Sequence, residues 1–202
     1  SGIAHYLEHK MFDTKTGNAL TMLSEGGASP NAFTSPGMTA YHFECSEGFE
    51  KNLKILLQFV TEPYFTDESV EKERGIISQE IRMVEDEPDH RVYTNLMRAL
   101  YKDNPIREPI AGTVESIAKI TPETLYKCYN TFYNPANMIL VLVGDINMDE
   151  ALKIVDKHIS PERNLGKVKR LEVNEPRERV QEYIEQKLSV SQPMFRIGFK
   201  DN

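Results

Sequence analysis

The hydrophobic period of the chain changes twice within its first fifty residues, and this limits the folds open to it. Ile3, Leu7 and Met11 recur every four residues, so Gly2–Phe12 is predicted helical. A short second helix over Ala19–Leu23 is stopped by Gly26-Gly27. The pattern then becomes strand-like: Ala28–Ser35 and Met38–Cys45 are predicted as two strands joined at Ser35-Pro36-Gly37. Ser46 is the expected N-cap of the next helix, with the stripe Phe49, Leu53, Leu56, Leu57 and Val60 and its end at Pro63. Helices and antiparallel strands mix without a regular βαβ rhythm, so the expected class is α+β, a mixed or antiparallel sheet with helices packed on it.

Further along, Thr66 opens the longest helix, predicted to reach about Glu87, with Val70, Ile76, Ile77, Ile81 and Val84 on its buried side. A helix over Arg91–Tyr101 follows, and Thr113 and Thr121-Pro122 are N-cap signals for two more. Met138–Val143 is an unbroken apolar run before Gly144-Asp145 and is predicted to be a buried strand. Met148–Ile159 is again helical, with Leu152 and Val155 inward. From Ser160 the composition becomes charged. Residues 1–160 are therefore expected to form one domain, 161–178 a linker, and 179–202 the first strands of a following domain, with strands over Arg179–Val190 and Pro193–Lys200.

The segment His5-Tyr6-Leu7-Glu8-His9 carries the chemistry. Residues four apart share one helix face, so His5 and His9 can offer two imidazoles to one metal ion. Glu8, three residues after His5, lies close enough to serve as a base, in the H-x-x-E-H order of inverted zinc peptidases. A catalytic zinc takes three protein ligands and keeps one open position. Glu73, Glu80 and Glu87, spaced by seven on the long helix, are candidates for the third ligand. Glu73 and Glu80 flank the core stripe, where an unpartnered carboxylate is costly.

Four blocks make a resemblance clear: Gly2-Ile3-Ala4-His5-Tyr6-Leu7-Glu8-His9-Lys10-Met11-Phe12; Asn31-Ala32-Phe33-Thr34-Ser35; Glu71 to Ile81; and Asn134-Pro135-Ala136-Asn137-Met138 leading into Val143-Gly144-Asp145. The sequence resembles the pitrilysin family of zinc metallopeptidases, in its bacterial processing-peptidase-like branch. That resemblance implies His5, His9 and Glu80 as ligands of one Zn²⁺ per chain, Glu8 as general base, and Glu73 as a second acidic residue supporting the site. It implies that Asn31, Ala32 and Phe33 form a strand edge to which an extended peptide adds. It also implies a second homologous half, in the same parent chain or as a homologous subunit, without which the chain cleaves poorly. The expected function is a zinc-dependent endopeptidase acting on peptides or unfolded segments. The alternative is a non-catalytic scaffold or peptide-binding subunit of the same family. Because the chain opens on Ser1 with helical patterning at once, it is expected to be a fragment or a processed product; the resemblance implies a piece of the N-terminal half that lacks the domain's first strands.

Composition narrows the remaining classes. Twenty-four basic against thirty-one acidic side chains give a net charge of −7, which disfavours a nucleic-acid partner. The longest apolar run is far shorter than the ~20 residues that span a bilayer, so no membrane partner is expected. Cys45 and Cys128 form no ligand pair, and closed structural zinc sites use four Cys or His. A reducing, cytoplasmic setting is expected, and exposed strand edges allow a homodimer.

Overall fold

A computed structural model describes residues 1–159 and 166–200. Helix α1 (Ile3–Met11) is followed by a small hairpin, β1 (Asp13–Thr14) and β2 (Gly17–Asn18), and by α2 (Ala19–Glu25). A long hairpin follows, β3 (Ala28–Thr34) and β4 (Thr39–Cys45), antiparallel with Asn31 opposite His42 and Thr34 opposite Thr39. Then come α3 (Phe49–Thr61), α4 (Asp67–Glu85), α5 (Pro88–Leu100), α6 (Val114–Ile117), α7 (Pro122–Phe132) and α8 (Met148–His158). Helices packed around antiparallel strand pairs make the fold α+β, as the sequence predicts. Among the described residues no helix is long and apolar enough to cross a membrane.

The main core forms around α1. Tyr6, Leu7 and Met11 are buried against Leu23, Phe59, Val70, Ile77, Ile117, Leu125 and Tyr129, side chains from α2, α3, α4, α6 and α7. The Tyr6 hydroxyl donates to the Val70 carbonyl at 2.5 Å, fixing α1 on α4. The start of α1 is set by Gly2, at φ +86°, where a Cβ would lie 2.5 Å from the Ala111 carbonyl oxygen. Only glycine takes that backbone state at so close an approach. Thr66, Thr113 and Thr121 cap α4, α6 and α7 with reciprocal side-chain and backbone bonds, as their sequence positions predict.

Several elements differ from expectation. The N-cap of α3 is Gly48 rather than Ser46. Helix α4 ends at Glu85, and Glu87 becomes the N-cap of α5, whose first position is Pro88; proline fits there because its missing N–H has no helical acceptor to lose. Ile76 is exposed while Ile77 is buried, because consecutive helical residues point about 100° apart and Val70, Ile77 and Ile81 already define the inward line. Leu152 is exposed, and α8 turns Ala151 and Ile154 inward instead, Ile154 joining Leu53 and Leu57 in a second, smaller cluster.

The Met138–Val143 run is not a buried strand. Among the described residues it forms no ladder, and Ile139, Val141 and Val143 are 91, 73 and 89% exposed. Its other face, through Leu142, touches the smaller cluster. A strand buries both faces only between two layers, and among the described residues one layer is present here. The segments 179–190 and 193–200 likewise have no ladder partner among the described residues; the Val180 and Gln181 amides donate instead to the Ala99 carbonyl. Before them, the Glu175 carboxylate accepts the backbone N–H of Lys102, Asp103 and Asn104 at 2.9, 2.8 and 2.6 Å and the Lys200 ammonium at 2.6 Å. The expected linker, 161–178, lies partly outside the described residues.

Candidate metal centre

Two helices build the site. On α1, His5 and His9 lie one turn apart with ring centroids 4.6 Å from each other. On α4, Glu73 and Glu80 sit two turns apart on the flank of the Val70–Ile77–Ile81 line, so the packing that buries those apolar residues also turns both carboxylates towards α1. Glu80 faces both rings: its Oε1 is 3.4 Å from His5 Nε2 and its Oε2 is 3.4 Å from His9 Nε2. Ligand atoms of His5, His9 and Glu80 all lie within 4.8 Å of one another.

Those separations fit a shared ion better than direct contact. At 3.4 Å the two pairs are longer than good hydrogen bonds. Two ligand atoms each ~2.05 Å from a tetrahedral zinc stand about 3.3 Å apart. The donor set of two imidazoles and one carboxylate is that of an open zinc site. His9 Nδ1 is 2.9 Å from Glu73 Oε1. With Nδ1–H donating to that carboxylate, Nε2 keeps its lone pair directed at the ion position. The buried His5 Nδ1 has no hydrogen-bond partner among the described residues.

Electrostatics differ between the two rings. Burial, and then the charge of His9, hold His5 below its ordinary pKa, against the pull of Glu80 and Glu8. Burial acts the same way on His9, but the hydrogen bond its ring donates to Glu73 and the charge of Glu80 outweigh it and raise the ring above its ordinary value.

Glu8 is buried and turned to the other flank of α1, where the Thr34 hydroxyl at the end of β3 donates to its Oε2. Asn31 and Phe33 point outward from β3, Ala32 packs on the core, and the strand edge away from β4 is unpaired among the described residues. On β3 the Ala32 amide is taken up by the Asn31 side-chain oxygen at 2.9 Å.

Of the residues singled out in the sequence, His5, His9, Glu73 and Glu80 thus meet at one place, Glu8 borders it, and β3 runs alongside. Glu87 stands apart and exposed. Three features escape the sequence reading. Lys10 is wholly buried and paired with Asp13 at 2.5 Å. The Tyr41 and Tyr133 hydroxyls meet at 2.7 Å, both phenols pushed up in pKa, chiefly by burial. The third is the Thr34–Glu8 bond, whose only sequence signal is its place in the Asn31–Ser35 block.

Comparison with known proteins gives the family. The model of the insulinase family (peptidase family M16) matches residues 1–114, and that of the M16 inactive domain matches residues 119–200. The chain is 44% identical over 201 residues to the uncharacterized zinc protease YmfH of Bacillus subtilis, covering 98% of this chain and 47% of that protein. It is 31% identical over 163 residues to the mitochondrial-processing peptidase subunit beta of Caenorhabditis elegans, covering 78% and 36%. The crystal structure of an M16-like peptidase from Alicyclobacillus acidocaldarius superposes with a TM-score of 0.79 at 41% identity, covering 90% of this chain and 43% of that one. The chain thus spans less than half the length of these relatives. With the family model covering more than half of its residues, and His5, His9 and Glu80 converging as described, the chain belongs to the insulinase family of peptidases, M16.

Proposed function

We propose that this chain carries the metal-binding half of a zinc-dependent endopeptidase that hydrolyses peptides or unfolded segments. The convergence of His5 Nε2, His9 Nε2 and the two oxygens of Glu80 carries the reading. His5, His9 and Glu80 would hold one Zn²⁺, and Glu73 would fix the His9 ring through Nδ1. Zinc, when bound, supplies Lewis-acid chemistry that makes water nucleophilic near neutral pH and draws charge from a carbonyl oxygen. Glu8 takes the proton of the attacking water and returns it to the leaving amine. The free edge of β3 at Asn31, Ala32 and Phe33 receives the substrate as an added strand, with side chains directed alternately to either face. A second homologous half, in the same protein or as a separate subunit, closes the cleft. In this reading residues 1–160 form the zinc domain, 161–178 link it onward, and 179–202 begin the next domain.

A complete ligand set beside a buried carboxylate favours catalysis over a purely scaffolding role, for which no ion is required. The test is Glu8→Gln in the whole protein. Zinc content should stay at one per chain while turnover of a quenched fluorogenic peptide falls by at least about a hundredfold. Loss of zinc in that variant would make Glu8 structural, and undiminished turnover would exclude it as the base.

A further inference from the structure

Glu8 must point one oxygen at the water it deprotonates, and a carboxylate on a helix rotates freely about its last bonds unless something holds it. The hold comes from outside α1. Thr34 Oγ1 donates to Glu8 Oε2, and Thr34 Oγ1 lies 3.3 Å from Thr39 Oγ1. A hydroxyl has one proton to give. If Thr34 spends it on Glu8, Thr39 is the donor to Thr34, and the order is Thr39 to Thr34 to Glu8. Among the described residues no second hydrogen bond reaches this carboxylate, which leaves Oε1 for the reaction.

The hairpin is built to place that hydroxyl. Thr34 and Thr39 are register partners at its last rung, and the Ser35 amide closes the turn on the Met38 carbonyl at 2.8 Å. Alternation puts Thr34 on the inward side with Ala32, so a slip of one residue would present Phe33 or Ser35 to Glu8 instead. We propose that Thr34, backed by Thr39, is a positioning residue that sets the orientation of Glu8, so that the strand offered to the peptide also aligns the base. This rests on the peptidase reading above.

The test compares Thr34→Val, Thr34→Ser and Thr39→Val in the whole zinc-loaded protein, with a quenched fluorogenic peptide as substrate. A charge-assisted hydrogen bond of ordinary strength predicts that Thr34→Val lowers kcat about tenfold to a hundredfold, with KM within about twofold and zinc content unchanged. Thr34→Ser should recover kcat to within about threefold, because the hydroxyl returns. Should Thr34→Val fail to fold, Thr39→Val reads the same relay, with a loss of about threefold in kcat alone. A second readout needs no turnover. In urea unfolding of the whole protein, followed by hydrogen exchange at the β3–β4 amides, the effect of Thr34→Val on the equilibrium constant should shrink about tenfold in a Glu8→Ala background. Additive effects, a serine variant as slow as the valine, or wild-type kcat in Thr34→Val while Glu8→Gln is inactive would each overturn the positioning role alone. A zinc-loaded wild type that cuts no peptide overturns the peptidase reading, and this role with it.

Discussion

Glu73 and Glu80 sit on the same flank of α4, two turns apart, yet they meet the histidines from opposite ends. Glu80 faces both Nε2 atoms, whereas Glu73 meets only the far nitrogen of His9. Their amide variants should therefore differ. Glu80→Gln removes a ligand charge and should abolish stoichiometric zinc. Glu73→Gln should weaken zinc affinity about tenfold to a hundredfold and leave the site loadable at higher metal. Competitive titration with a chromogenic chelator distinguishes the two; equal affinities would show that the roles are not as placed. The histidine pair was legible in the sequence because one helical turn is local, so a spacing of four is already a statement about geometry. Glu80 was legible only through the resemblance, since heptad spacing admits Glu73 and Glu87 equally. For Thr34 the sequence offered only its place in the Asn31–Ser35 block, because its partner lies 26 residues away and their meeting depends on strand register and on which face of the hairpin turns inward.

Helices α4, α6 and α7 announced themselves through threonine caps, whose bonds are made within four residues. The C-terminal extended segment is held by a longer-range device. Desolvation acts against ionising Glu175, but the Lys102 amide, the Lys200 ammonium and the amides of Asp103 and Asn104 more than offset it and bring the carboxyl down to about 2 from 4.5. A carboxyl depressed in the folded state contributes its full stabilisation above its unfolded pKa and loses it as pH falls through the folded value. The clamp should therefore be complete above about pH 4.5 and released as pH falls towards 2. Protection of the 102–104 amides from hydrogen exchange, relative to the intrinsic rate at each pH, should fall over that window, and Glu175→Gln should remove this pH dependence. Unchanged protection across it would show that other contacts hold the segment. Strand prediction was least successful at 138–143 and beyond 179, where alternation and apolar content are present in the sequence but a pairing partner is a property of the surrounding layers.

At the scale of the molecule, the chain, which spans less than half the length of its relatives, gathers His5, His9 and Glu80 on one side of its core. Binding and turnover should separate accordingly. Under the proposed reading, in which a second half shares the positioning of the peptide, this chain alone should take up zinc yet cleave a quenched peptide at least about a hundredfold more slowly than the whole protein. Equal rates would place all substrate contacts within these 202 residues. The class of fold was readable from the alternation of hydrophobic periods, and the arrangement of helices around α1 was not.

In α1, residues 6, 7 and 11 belong to the interior, residues 5 and 9 face Glu80, and residue 8 borders them. Nine residues thus serve two masters, and neither can drift without disturbing the other. Rebuilding such a protein for a different reaction would have to leave this helix alone and work from the loops and strand tips that approach it.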